Sequence, residues 1–198
     1  MTLLVVTAVP AERDALLDVV PSASVIAAGI GPAAAAAGAS AALARGSFDL
    51  VVSAGIAGGF DVPLGTVVVA SRVVHADLGV ETAEGFSPLG DVFDVSPALA
   101  AALSRRVGGV VGTVLTVSTV TGTAATTALL RTRYPDAVAE AMEGFGVASA
   151  AAVHGVPFAE VRAISNSVGP RDRPSWRIPE ALAALRDAFV AITKEPLP

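Results

Sequence analysis

The run from Ala137 to Asp172, AVAEAMEGFGVASAAAVHGVPFAEVRAISNSVGPRD, decides the fold. It reads as strand, helix, strand and loop. AVAEAM (137–142) is a short apolar strand, and Glu143 stands where the chain turns into a helix of small residues, GFGVASAAAVH (144–154). Gly155 ends that helix, because helices commonly stop on a glycine in the left-handed conformation. Pro157 prevents the helix from restarting, and FAEVRAIS (158–165) is a second strand. Asn166 follows at its carboxyl end. A carboxylate and an amide are thus both presented just past a strand, on the rim where open α/β sheets bind ligands.

Working outward, the chain of 198 residues suits one domain with a large core. Strand-like and helix-like segments alternate, which is the α/β pattern. The net charge is −5, and Lys194 is the one lysine. With no Lys/Arg-rich run, a nucleic-acid backbone is not an expected partner. The absence of cysteine excludes disulfides, thiolate metal sites and a Cys nucleophile. Neither a metal nor a cofactor is expected. MTLLVVTAVPAERD has no basic start and no long apolar stretch before Glu12, so no signal peptide is expected.

The mean hydropathy is high, +0.67. Residues 19–44 carry no charge, a length that can span a bilayer. Pro21, Pro32 and many Ala and Gly dilute that run, and no basic cluster flanks it. A buried strand followed by a packed Ala-rich helix is the favoured reading, with no membrane as partner.

TLLVVTAV (2–9) is a buried strand of parallel type. Pro10 opens a helix, which places Glu12 in a first turn where the dipole favours negative charge. GIGPAA (29–34) mimics a dinucleotide fingerprint, but the acidic partner expected after the next strand is missing, since Asp49 precedes it. Tight helix packing is favoured over NAD. FDLVVSAGIAGGF (48–60) is a strand entering a glycine-rich turn, whose backbone can approach a ligand closely. His75 is either a satisfied structural histidine, the favoured reading, or a ligand. Residues 81–97 read as a turn-rich excursion near the pocket mouth, with Phe86 and Phe93 covering a base or packing in a core or interface. Residues 110–123 are a strand entering a Thr/Ser-rich turn. After Asn166 a Pro- and Arg-rich loop holds Arg171, Arg173, Trp176 and Arg177, either a lid meeting a substrate carboxylate or a solvated basic loop. An amphipathic helix closes the chain, with Leu182, Leu185, Phe189 and Ile192 at helical spacing.

MEGFG followed by VPFAEVRAISN resembles the nucleoside phosphorylase and nucleosidase superfamily. The resemblance covers nearly the whole chain in matching order: Glu12, GIG, GIAGG, the Thr-rich loop, MEG and RAISN. It implies a single α/β domain over 1–198, with a central mixed, mostly parallel β-sheet flanked by helices. It implies that Met142 and Glu143 hold the ribose, that Gly55 and Ile56 lie under the sugar, and that Val120 covers the base. Glu12 resembles the family's water-activating glutamate. Asn166 stands where other members carry an Asp that protonates the purine. An amide cannot supply a proton, but it can donate to N7 or to the O6 of a 6-oxopurine. The form with Asn and then VGPRD is similar to a nucleosidase branch of a menaquinone pathway. Arg45 and Arg72 do not match the family's phosphate-binding arginines, so water is the favoured nucleophile.

The implied reaction is hydrolysis of the N-glycosidic bond of a 6-oxopurine nucleoside. Open alternatives are a purine nucleoside phosphorylase, a methylthioadenosine/S-adenosylhomocysteine-type nucleosidase and a non-catalytic nucleotide-binding module. The resemblance further implies a homodimer or higher oligomer, and the absence of cysteine fits a cytoplasmic protein.

Overall fold

The computed structural model describes residues 2–90 and 92–195. Its elements, in order, are β1 (Leu3–Thr7), α1 (Pro10–Leu17), β2 (Ala23–Ala27), α2 (Pro32–Leu43), β3 (Leu50–Gly59), β4 (Val67–His75), β5 (Gly79–Thr82), β6 (Gly85–Pro88), β7 (Val92–Asp94), α3 (Pro97–Val107), β8 (Val110–Thr116), α4 (Ala124–Arg133), β9 (Ala137–Ala141), α5 (Gly144–His154), β10 (Phe158–Ser167) and α6 (Ile178–Thr193). The charge-free run 19–44 divides into β2 and α2. No helix among the described residues is long and apolar enough to cross a membrane.

β1 shows why the chain forms three layers. All five residues of LLVVT are buried, and successive side chains point to opposite faces. Leu4 and Val6 join Ala35, Val147 and Ala151 of α2 and α5. Leu3 and Val5 join Leu16, Leu103, Leu185 and Phe189 of α1, α3 and α6. A fully buried Leu or Phe contributes about 1.5–3 kcal/mol, so both faces of the sheet are anchored. α2 and α5 are built of Ala and Gly because they lie close together. A Cβ on Gly146 would overlap the carbonyl of Pro32.

The main sheet runs β10-β4-β8-β9-β3-β1-β2, with β7 beside β4. Five of its pairings are parallel, β1–β2, β1–β3, β3–β10, β4–β8 and β8–β9, so the sheet is mixed and mostly parallel as expected. Three are antiparallel: β4–β10, β3–β9 and β4–β7. Because β3 pairs with both β9 and β10, the strands β3, β10, β4, β8 and β9 close into a ring. This closure corrects two expectations. Glu143 does not leave its strand on the same rim as Asn166, because β9 runs antiparallel to β3 and β10 parallel to it. Glu140 of β9 pairs with Gly58 of β3 in antiparallel sense, so the chain leaving β9 heads back along β3 rather than past its carboxyl end. The GIAGG segment, expected to turn, remains strand to Gly59, because both neighbours hold it in ladder.

Candidate active site

A cavity of about 270 Å³ is lined by Glu12, Ile56, Val120, Met142, Glu143 and Asn166, all singled out in the sequence. Gly55 lies beneath the lining. A Cβ there would sit 2.5 Å from Glu12 Oε1 and 2.7 Å from Arg162 Nη1, so only hydrogen fits.

Glu12 is the third residue of α1 and reaches back over the helix start. Its Oε2 accepts from the N–H of Ala8 at 2.9 Å and of Val9 at 3.3 Å, and its Oε1 from the N–H of Ile56 at 2.9 Å. The bond to Val9 is the acidic half of a capping box. A carboxylate has about four acceptor positions; three N–H groups fix this one and leave it room for a proton. Ile56 therefore serves through its backbone, which explains how an apolar side chain is tolerated at this position.

Glu143 precedes α5. Its Oε1 accepts from the N–H of Gly31 at 3.2 Å, and its Oε2 faces the N–H of Met142 and Arg162 Nη1, each at 3.3 Å. Gly31 has φ 89°, in the left-handed region that favours glycine. The GIG turn, read from sequence as a packing device, thus also positions a carboxylate.

Sequence reasoning missed the group at the centre. Arg162 is fully buried, and its Nε donates to Glu160 Oε1 at 2.8 Å, its Nη1 to Glu143 and its Nη2 to Ser53 Oγ at 2.9 Å. Burial opposes the guanidinium charge, but Glu160, Glu143 and Glu12 outweigh it and hold its pKa above the ordinary arginine value. Burial pushes the Glu160 carboxyl up, and Arg162 pulls it the other way. Among the described residues Glu160 Oε2 has no hydrogen-bond partner. It lies so close to the α5 start that a Cβ on Gly144 would overlap it. A signal was present in FAEVRAIS: two opposite charges two residues apart share one face of a strand, and in an apolar strand that means a buried pair.

Asn166 owes its placement to a break in register. β10 pairs Ile164 with Ala57 and then Asn166 with Gly58, so Ser165 is bulged. Bulges re-aim side chains and are common beside active sites. The Ser165 hydroxyl lies 2.8 Å from Asn166 Oδ1, and Asn166 Nδ2 donates to the Ser167 carbonyl at 3.0 Å. In this arrangement the amide oxygen is occupied and the second N–H of Nδ2 is left to donate.

Glu140 and Thr121 also line the cavity and were not singled out. The N–H and hydroxyl of Thr121 both donate to Glu140, at 2.9 and 2.5 Å. Burial pushes the Glu140 carboxyl up, and these bonds oppose the rise. The pair ties the Val120 loop to β9. Trp176, from the loop after β10, completes the mouth.

Other candidates lie outside this cavity. His75 Nε2 is 3.1 Å from Asp77 Oδ1, and its ring rests against Phe145 at 5.1 Å, which makes it a satisfied structural histidine. Phe93 also packs on Phe145, at 5.0 Å, in the core. Phe86, in the hairpin β5–β6, lies under Arg133 at 4.1 Å. Among the described residues no cluster of His, Cys, Asp or Glu could hold a metal ion.

The family model for the phosphorylase superfamily matches residues 19–195. A futalosine hydrolase of Streptomyces coelicolor is 53% identical, over 95% of this chain and 93% of that protein. Among solved structures, a futalosine hydrolase mutant of Helicobacter pylori superposes with a TM-score of 0.88 at 16% identity, over 99% of this chain and 100% of that one. The 5′-methylthioadenosine/S-adenosylhomocysteine nucleosidase of Neisseria meningitidis, in complex with methylthio-immucillin-A, superposes with a TM-score of 0.86 at 22% identity, over 98% of each chain. These two likenesses establish the fold. The family model and the Streptomyces relative, each spanning most of the sequence, establish the lineage: this chain belongs to the phosphorylase superfamily and, within it, to the futalosine hydrolase family.

Proposed function

We propose that this protein hydrolyses the N-glycosidic bond of futalosine, releasing hypoxanthine and dehypoxanthine futalosine, a step of menaquinone biosynthesis. The observation that carries the reading is the convergence of Glu12, Glu143 and Asn166 on one cavity. Glu143 binds the ribose hydroxyls, and its charge favours the oxocarbenium-like sugar as the bond to the base lengthens. Glu12 takes a proton from water as the oxygen bonds to C1′. The C1′–N9 electron pair leaves with the purine. Asn166 stabilises it by donating Nδ2–H to an acceptor on its edge, and the departing base takes its proton from water. Met142 and Val120 supply apolar contact to sugar and base.

Phosphate is disfavoured as nucleophile on charge. The lining carries Glu12, Glu140 and Glu143, and the buried guanidinium of Arg162 is committed to Glu160, Glu143 and Ser53. Incubation with futalosine, with and without phosphate, tests this. Equal hypoxanthine release with a free reducing sugar is expected; phosphate-dependent release with a sugar 1-phosphate would identify a phosphorylase instead.

The amide at 166 is the basis for the 6-oxopurine. Asn166→Asp is expected to move preference from 6-oxo towards 6-amino purines by about tenfold or more, because a protonated carboxyl can pass its proton to N7. Competing futalosine against methylthioadenosine reads the ratio, and an unchanged ratio would mean that the base is read elsewhere.

A cytoplasmic homodimer is part of the same reading. A second cavity of about 540 Å³ shares Val120 and Thr121 with the first and reaches Leu129, which is 62% exposed. A second copy covering Leu129 and Val120 would close the mouth. Light scattering should return twice the chain mass; a monomer at micromolar concentration would refute the dimer.

A further inference from the structure

Arg171 and Arg173 lie in the loop after β10, beside Trp176. Their guanidinium carbons lie 5.7 and 5.8 Å from the centre of the Trp176 ring, and that ring lines the cavity. Both side chains are exposed, and among the described residues neither is hydrogen-bonded or ion-paired to an acceptor. The loop itself is fixed. The Arg171 N–H bonds the carbonyl of Gly122, beside the cavity-lining Thr121, and the Arg177 N–H bonds the carbonyl of Ser165.

Two unpaired cations held on one indole contrast with the rest of the site. The cavity is lined by three glutamates, and the chain carries a net charge of −5. An anionic substrate approaching it would be repelled unless positive charge waits at the entrance. A purine and a ribose carry no charge at neutral pH, so the anion must sit on the sugar's outer substituent. Guanidinium forks on an aromatic plate match a planar carboxylate, and cation–π contact holds them at lower entropic cost than free side chains.

We propose that Arg171 and Arg173, held on Trp176, form a subsite for a carboxylate at the far end of the substituent on the nucleoside's sugar. This rests on the hydrolase reading above and adds to it what selects the substrate. The contact is far from the breaking bond, so it acts on KM rather than kcat.

The test compares futalosine with its carboxylate methyl ester, and inosine 5′-monophosphate with inosine, by hypoxanthine release. The wild-type protein should prefer the acid to the ester by roughly 10- to 100-fold in kcat/KM. In the double variant R171A/R173A that ratio should collapse towards one through a raised KM for the acid, and R171K/R173K should keep part of it. An acid-to-ester ratio equal in wild type and double variant would overturn the subsite while leaving the hydrolase reading intact. A variant effect confined to inosine 5′-monophosphate would assign the arginines to phosphate and overturn the carboxylate. A wild-type protein that releases no hypoxanthine from either futalosine or its ester refutes the hydrolase reading and this subsite together.

Discussion

A Glu143→Ala protein is expected to fold and to lose about 10³-fold or more of its kcat. Two effects act at once. In the proposed mechanism the ribose then lacks the hydroxyl partner assigned to Glu143, and the developing sugar cation lacks that negative charge; removing one preorganised electrostatic contact alone typically costs about 10²–10³-fold. Folding should survive, because Glu143 itself lines the cavity, so water can take its place on the N–H groups of Gly31 and Met142. Glu143→Gln separates the two effects. The amide keeps hydrogen-bonding capacity but no charge, so an intermediate loss is expected. Single-turnover measurement of hypoxanthine release reads both variants, and near-normal turnover by Glu143→Ala would remove this residue from the mechanism.

The second large effect concerns stability. Arg162→Ala should destabilise the protein by about 3–5 kcal/mol, the usual consequence of stripping the partner from a buried charge. Glu160 would be left fully buried with neither oxygen satisfied, and Glu143 would lose its one cationic contact. For a domain of this size about 1 kcal/mol moves Tm by roughly 2–4 °C, so a fall of about 6–20 °C is expected in a thermal melt. The double variant R162M/E160L should recover part of that loss, since an apolar pair can replace a buried ion pair of similar volume. It should not recover activity, because Glu143 would still lack its anchor. A melt unchanged in Arg162→Ala would show that the network does not hold the ring of strands together.

These expectations draw on residues of different legibility. The strand–helix–strand unit of 137–167 was readable because its punctuation is local: Gly155 takes φ 67°, as a helix end requires, and α5 spans the residues the small side chains suggested. The α/β class followed from alternation alone. Closure of the sheet was not readable. It depends on β3 accepting partners on both sides near Gly58 and Gly59, and nothing in one strand's sequence states which strands will be its neighbours.

The site divides in the same way. Glu12, Glu143 and Asn166 lie beside chain punctuation, at a helix start, a strand-to-helix turn and a strand end, so their sequence context marked them. Arg162 and Glu160 sit mid-strand, where a charge is read against an apolar background and easily passed over. Glu140 was hidden for the same reason. The GIG turn was recognised but given half its role, since its bond to Glu143 joins residues 112 positions apart. The loop of Trp176 and the arginines reads from sequence as either a lid or a solvated basic loop, and only the fold places the indole at the cavity.

One nucleoside is expected to touch Glu12, Glu143 and Asn166 at once. The most direct measurement is a crystal structure of the slow variant Glu12→Gln soaked with futalosine. Intact substrate is expected there, with its ribose hydroxyls within hydrogen-bonding distance of Glu143, an acceptor on the purine edge against Asn166 Nδ2, and position 12 facing C1′. A nucleoside bound in another cavity, or one whose sugar does not reach Glu143, would contradict it.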